Sequence, residues 1–269
     1  MRVHDTAVGT HGPTEVHPTA IIDPDAELGV GVRVGPWAII GPGVQIGDST
    51  QVGPRVLIEK DTTVGEGCWL SNGAVLGTDP QDLKYQGEPS TLTIGDRTVV
   101  REFATLNRGT SASGCTVVGT DCLLMTYAHV AHDCELGNHV ILANSVNMGG
   151  HVVIEDWVIV GGLTPIHQFV RIGAHAFVGG GSRVPQDIPP YCRAAGNRPK
   201  LYGLNSVGLE RRGFSIEVRK ALKQVYRLLF QSDENLSAAL LRAEREVEGI
   251  PEVKHLLQFI QSSERGITT

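Results

Sequence analysis

Aromatic residues are scarce in this chain, at 5% of 269 residues. A core of large interlocking rings is excluded, and small aliphatic layers must do the packing instead. Cysteines number five (Cys68, Cys115, Cys122, Cys134, Cys192), and no two stand as a Cys-x-x-Cys pair. An odd, unpaired set argues against a disulfide framework and suits reduced thiols in a cytoplasmic protein. No apolar run approaches the ~20 residues of a membrane span, so no stable membrane insertion is expected. Met1 to Thr14 lack the apolar stretch of a secretion signal and read as a floppy extension. Positive charge is also short, with 23 Lys and Arg against 29 Asp and Glu and a net charge of −6. That balance argues against general nucleic-acid binding.

Glycine is plentiful, at 33 residues, and 41% of the chain is apolar. The apolar residues keep a period of six. From Val16 the steps are Ile22, Leu28, Val34, Ile40, Ile46, Val52, Ile58, Val64, Leu70 and Leu76. The register resumes at Ile94, Val100 and Leu106. It resumes again at Val118 and holds through Leu124, Val130, Leu136, Leu142, Met148, Ile154, Val160, Ile166, Ile172 and Val178 to Val184. Only positions 82, 88 and 112 break it. Glycine often follows, as in Ile46-Gly47 and Ile172-Gly173, and the fifth position is small or β-branched, as at Ala26, Ala38, Val44, Thr50 and Val56.

Six matches neither the 3.6 period of an amphipathic helix nor the 2 of a lone strand. It suits a coil of three short strands, one hexad per side of a triangular prism, with eighteen residues per turn. Neighbouring coils then pair as parallel strands, rising about 4.8 Å per coil. A nearby Gly or Asn is expected to form each corner, where φ is often positive. The prism spans 16–190, after an extension over 1–15. Two polar, turn-rich loops, 77–93 and 110–116, bulge from it. Such loops on a rigid scaffold commonly carry binding groups.

The repeat stops at Pro189-Pro190, because two prolines cannot continue a paired strand. Residues 191–269 read as a helical domain. One helix opens at Ser215. A second is capped by Ser232, with Asp233 and Glu234 in its first turn. A third opens at Pro251 with Val253, Leu256, Leu257 and Ile260 inward. The domain caps the open end of the solenoid or binds a ligand. From Arg183 to Lys223 nine Lys/Arg face three Asp/Glu. A local basic zone on an acidic chain suits an anionic partner such as a phosphate or an acidic carrier protein.

Histidines gather in the second half, at His129, His132, His139, His151, His167 and His175, and none takes an inward position. An eighteen-residue coil stacks 132 on 150 and 133 on 151. Paired histidines allow a metal site or general-base catalysis near neutral pH, with an adjacent Asp orienting the ring.

Four motifs make the resemblance specific. They are Gln81-Asp82-Leu83-Lys84-Tyr85-Gln86-Gly87-Glu88-Pro89, Ala128-His129-Val130-Ala131-His132-Asp133-Cys134, Val184-Pro185-Gln186-Asp187-Ile188-Pro189-Pro190-Tyr191 and Arg211-Arg212-Gly213-Phe214. Together with the hexads they resemble the acyl-carrier-protein-dependent UDP-N-acetylglucosamine O-acyltransferases, which open lipid A synthesis. The resemblance implies a mainly β fold, a left-handed parallel β-helix of hexapeptide repeats with a C-terminal α-helical domain, assembled as a homotrimer in the cytoplasm. It implies transfer of a 3-hydroxyacyl chain from acyl carrier protein to the glucosamine 3-hydroxyl of UDP-N-acetylglucosamine. The donor chain is carried on the carrier's phosphopantetheine, and no cofactor or metal is implied.

In that reading His132 is the general base, Asp133 orients it, and the Gly150 N–H stabilises the oxyanion. Gln81, Asp82, Lys84, His129, His151, His167, Gln168, Asn205, Arg211 and Arg212 bind substrate, with Lys84 and the arginines suited to the diphosphate. Gly180 lies where the family measures chain length, and a glycine there implies a long acyl chain. The chain departs from the family at Asn107 and Arg198, where histidines are familiar, and at Val207, where an acidic contact is expected. These departures bear on nucleotide-sugar recognition and leave the base untouched.

The alternatives are an N-acyltransferase of nucleotide sugars, a zinc carbonic anhydrase on this fold, and a non-catalytic solenoid. The first carries a nucleotide-binding domain before the repeat, and here the repeat begins at Val16. The second needs a close histidine pair separated by four residues, whereas His129 and His132 are separated by two. The third predicts regular Thr rows, which the outward positions lack.

Overall fold

A computed structural model describes residues 12–247 and 249–269. The extension expected over 1–15 lies mostly outside the described residues, and Glu15–Val16 is already a strand. Two compact units divide the chain, residues 1–134 and 135–269.

The first unit is built from short strands of two to four residues, mostly two. Each pairs an outward residue with an inward aliphatic one. Glu15–Val16 pairs in parallel with Arg33–Val34, which pairs with Gln51–Val52. Ile21–Ile22, Ile39–Ile40 and Leu57–Ile58 repeat this on a second face, and Glu27–Leu28, Gln45–Ile46 and Thr62–Val64 on a third. Partners are eighteen residues apart, the coil length expected from the period. The inward stack includes Ile40, Ile58, Leu76, Leu106 and Val130, all buried. Each such side chain contributes roughly 1.5–3 kcal/mol by leaving water.

The loops insert whole hexads. After the first, partners lie thirty residues apart, as for Trp69 and Val99. After the second they lie twenty-four apart, as for Val99 and Leu123. Two extra hexads and then one leave the side-chain phase unchanged, so the sequence register resumes on time. The first loop is shorter than expected, and the second has the expected length but lies two residues earlier. Gly77 and Thr78 belong to the strand Val75–Thr78, and the next strand is Thr91–Ile94, leaving 79–90 as loop. The second loop is 108–114, between Thr105–Asn107 and Cys115–Val118.

The corners correct the glycine expectation. Positive φ falls three residues after the inward aliphatic, mostly at non-glycines such as Trp37, Ser49, Arg55, Tyr127 and Asp133. The glycine directly after the aliphatic serves close approach instead. A Cβ on Gly47 would lie 2.6 Å from the Gly65 carbonyl carbon, and one on Gly35 2.9 Å from that of Gly53. Coil spacing, rather than turn geometry, demands these glycines.

The second unit continues the pattern. Glu135–Leu136 pairs with Val153–Ile154 and that with Arg171–Ile172. Ile141–Leu142, Ile159–Val160 and Phe177–Val178 form another row, and Asn147–Met148 pairs with Pro165–Ile166. Pairing carries past Pro189-Pro190: Cys192–Ala195 adds in parallel to Phe177–Val178 and turns antiparallel into Lys200–Leu204. The two prolines are buried in the connection before that strand.

Among the described residues four helices follow: α1 Ser206–Arg211, α2 Ile216–Phe230, α3 Leu236–Glu246 and α4 Pro251–Gln261. Ser215 caps α2 by accepting the Val218 N–H, and proline opens α4, as expected. The α3 cap is Asn235, not Ser232, and α3 has no acid in its first turn. The Ser232 hydroxyl donates back to the Leu228 carbonyl of α2. Leu209, Leu222, Val225, Leu229, Val253, Leu256, Leu257 and Ile260 form the core with Tyr191.

Candidate active site

Asp133 occupies a positive-φ corner (φ 57) directly after His132. Its backbone N–H donates to Thr116 Oγ1 (2.9 Å), which holds the corner against the strand Cys115–Val118. The carboxylate is fully buried and is enclosed by the loop 108–114. Oδ1 accepts from the Thr110 N–H (2.9 Å), the Ser113 N–H (3.3 Å) and the Ser113 hydroxyl (2.5 Å). Oδ2 accepts from the Thr110 hydroxyl (2.7 Å) and faces His132 Nδ1 at 2.7 Å.

Burial alone would push the Asp133 carboxyl up. The hydrogen bonds from Ser113, His132 and Thr110 outweigh it and hold the group far below the ordinary carboxylate range. A fixed anion against Nδ1 keeps the proton there. Nε2 is then the basic nitrogen of the ring. The loop segment read in the sequence as an insertion is thus what clamps Asp133.

His129 lies one strand position before inward Val130. Its Nδ1 meets Thr105 Oγ1 at 2.7 Å. Burial, and secondarily the nearby His132, lower its pKa and favour the neutral ring. Gln81, Asp82 and Lys84 stand at the tip of loop 79–90, where Asp82 Oδ1 accepts the Lys84 N–H (3.0 Å) and the Asp82 carbonyl accepts the Tyr85 N–H (3.0 Å). Gln81 and Lys84 are exposed.

The other expected residues belong to the second unit. Gly150 is buried, and its carbonyl accepts the Phe169 N–H. Its N–H sits at the hexad position filled by proline at Pro18, Pro24, Pro36, Pro42 and Pro54. Coil pairing therefore makes no demand on that N–H. The His151 ring stacks on Phe169 with centroids 4.6 Å apart. His167 and Gln168 are exposed neighbours, and His167 Nδ1 lies 3.1 Å from Arg265 Nη2. Gly180 is exposed at a corner, and a Cβ there would lie 3.1 Å from the Gly162 carbonyl oxygen.

Asn205, Arg211 and Arg212 divide. Asn205 is buried and spent inside the fold: Oδ1 caps α1 through the Gly208 N–H (3.3 Å), and Nδ2 donates to the His175 carbonyl (2.9 Å). Arg212 packs over Trp157, and its Nη1 donates to His175 Nδ1 (3.2 Å). Burial first, and Arg212 second, push His175 down to about 4. Arg211 is exposed and lines a groove of about 620 Å³ with Tyr202, Lys223 and Arg227.

Comparison with known proteins places this arrangement. Residues 187–268 match the family described as UDP-N-acetylglucosamine O-acyltransferase, domain 2, and 115–150 match the bacterial transferase hexapeptide of six repeats. A curated relative from Chlorobium phaeobacteroides, named acyl-acyl-carrier-protein–UDP-N-acetylglucosamine O-acyltransferase, is 60% identical over 252 residues, covering 93% of this chain and 96% of its own. One of the same name from Myxococcus xanthus is 53% identical over 255 residues, covering 94% and 99%. The chain belongs to the UDP-N-acetylglucosamine O-acyltransferase family. The solved family member from Bacteroides fragilis superposes with a TM-score of 0.92 at 41% identity, covering 94% of this chain and 99% of that one. The fold is accordingly the family's left-handed parallel β-helix with a C-terminal helical region.

Within this O-acyltransferase family frame, three residues carry structure that the sequence reading had not assigned. Thr110 and Ser113 clamp Asp133. Their only signal was a polar break in the hexads. Arg108 is buried at 1% exposure beside Asn107, where a histidine is familiar. Asn107 is buried too, and its Nδ2 donates to Thr78 Oγ1 and the Asp79 carbonyl, both at 2.8 Å. That departure therefore fastens the root of loop 79–90. Val207 is exposed on α1, and Arg198 is exposed in the turn before Lys200–Leu204.

Proposed function

We propose that this protein transfers a 3-hydroxyacyl group from acyl carrier protein to the glucosamine 3-hydroxyl of UDP-N-acetylglucosamine. The observation that carries the proposal is the His132–Asp133 pair, with the acid buried, ionised and bonded on both oxygens. His132 Nε2 takes the proton of the 3-hydroxyl as its oxygen attacks the thioester carbonyl. Negative charge develops on the carbonyl oxygen, where the Gly150 N–H donates. The tetrahedral intermediate expels the phosphopantetheine thiolate, which takes its proton from His132. The protonated ring is stabilised throughout by Asp133. No metal or cofactor enters these steps.

Gln81, Asp82, Lys84, His129, His151, His167 and Gln168 hold the nucleotide sugar, and Lys84, Arg211 and Arg212 suit its diphosphate. Asn205 serves by positioning α1, since both ends of its amide are already bonded within the fold. The basic groove around Arg211, Lys223 and Arg227 suits an acidic carrier protein. Gly180 leaves room for a long acyl chain. The working form is a cytoplasmic homotrimer.

The test is turnover of UDP-N-acetylglucosamine with 3-hydroxyacyl carrier proteins of several lengths, comparing wild type with His132→Ala. The proposal expects a loss of at least about 10²-fold, the scale of general-base catalysis. Near-full activity in His132→Ala overturns the assignment.

A further inference from the structure

Loop 79–90 carries Gln81, Asp82 and Lys84, yet it lies outside the coil and lacks ladder hydrogen bonds of its own. Besides Asn107 at its root, a buried charged side chain reaches it. Arg108, the residue after the strand Thr105–Asn107, points its guanidinium back to the loop root. Nη1 donates to the Gly77 carbonyl, and Nη2 donates to the Asp79 carboxylate and to the Tyr85 hydroxyl at 3.2 Å. Tyr85 Oη also lies 3.4 Å from Asp79 Oδ1 and 3.2 Å from the Glu88 carbonyl. Glu88 continues the chain of contacts: Oε2 accepts the Gln86 N–H (2.9 Å) and Oε1 the Ser111 N–H (3.4 Å).

One guanidinium therefore meets the strand end at Gly77, the start of the loop at Asp79 and its descending arm at Tyr85. The exposed tip, 81–84, lies between the last two attachments. A planar fork of five donors holds acceptors from two chain segments in a fixed geometry, which the flexible point charge of a lysine does not impose.

We infer that Arg108, Asp79 and Tyr85 form a latch that sets the posture of loop 79–90 and thereby the affinity for the nucleotide sugar. These are positioning residues: none is assigned a contact with substrate. This inference rests on the function proposed above, in which Gln81, Asp82 and Lys84 bind the sugar nucleotide. A loop held before substrate arrives does not have to be ordered by it, so the latch improves binding and leaves the chemical step alone.

Asp79→Asn and Tyr85→Phe test this at two loop residues outside the coil. Each is expected to raise the KM for UDP-N-acetylglucosamine about threefold to tenfold, the scale of one ordinary net hydrogen bond. kcat and the KM for acyl carrier protein should stay within about twofold. Hydrogen exchange of the 81–88 amides, measured on the whole protein without substrate, should speed up in both variants, and Asp79→Glu should restore much of the protection. Unchanged exchange in both variants overturns the latch whatever the substrate proves to be. Faster exchange with an unchanged KM overturns its role in affinity. If wild type fails to turn over UDP-N-acetylglucosamine, the proposed function falls, while the exchange measurement still decides the latch.

Discussion

Replacing Asp133 by Asn separates the electrostatic role of this side chain from its shape. Asn keeps an oxygen at the Oδ1 position, which still accepts from the Thr110 N–H and from the N–H and hydroxyl of Ser113. Its NH₂ then stands where Oδ2 faced His132 and the Thr110 hydroxyl. Thr110 can rotate to accept. His132 must present a lone pair at Nδ1, so its proton moves to Nε2 and the base is lost. The local bonds survive as neutral ones, and the stability cost is about 2–3 kcal/mol. The catalytic cost is larger, roughly 10³–10⁴-fold in kcat, the scale of a histidine held in the wrong tautomer.

The pH dependence follows from the depressed carboxyl of Asp133. A group whose folded pKa lies below its unfolded value of about 3.9 adds stability above that pH and loses it as the pH falls through the folded pKa. The stability gap between wild type and Asp133→Asn should therefore be full at pH 7 and shrink below about pH 4. Steady-state kinetics with saturating donor and acceptor, and thermal unfolding at pH 7 and about pH 2.5, measure both effects. A folded Asp133→Asn protein with kcat within about threefold of wild type would refute the claim that Asp133 sets the tautomer.

Gly150→Pro removes the proposed oxyanion donor at a hexad position that already takes proline in Gly35-Pro36, Gly41-Pro42 and Gly53-Pro54. The melting temperature should change little while kcat drops about 10²–10³-fold, and unchanged turnover would remove Gly150 from the mechanism. Gly180→Met should shift preference toward shorter 3-hydroxyacyl donors when several lengths compete in one assay. An unchanged profile counts against chain measurement at that corner. Gly41→Ala should cost about 2 kcal/mol or more in denaturant unfolding, because the added methyl group meets the Glu59 carbonyl of the next coil. A neutral result there would contradict the close-approach account of these glycines.

Much of the architecture was legible from the period of six alone. Side-chain direction in a short strand is local, so the inward rows could be read directly. The pairing of Val34 with Val52 then follows from adding eighteen. His132 and Asp133 were legible for a similar reason: a base beside an acid is a sequence-neighbour relation. The corners were misread because glycine has two uses. Its backbone freedom was expected at the turns, whereas Ser49, Asp133 and His151 adopt positive φ there, and glycines such as Gly35, Gly41 and Gly47 sit where one coil closely touches the next. The α3 cap was misplaced because Ser232 and Asn235 are both good caps, and only the backbone shows which one bonds.

The sequence by itself determined the coil, its phase through two insertions, and the adjacency of His132 and Asp133. Those follow from contacts between neighbours or from a strict repeat. Only the tertiary structure decided what the insertions do. Thr110 and Ser113 reach Asp133 across twenty or more residues, and Arg108 reaches Asp79 across twenty-nine. Such contacts obey no period, because an inserted loop folds back by its own hydrogen bonds rather than by the coil's.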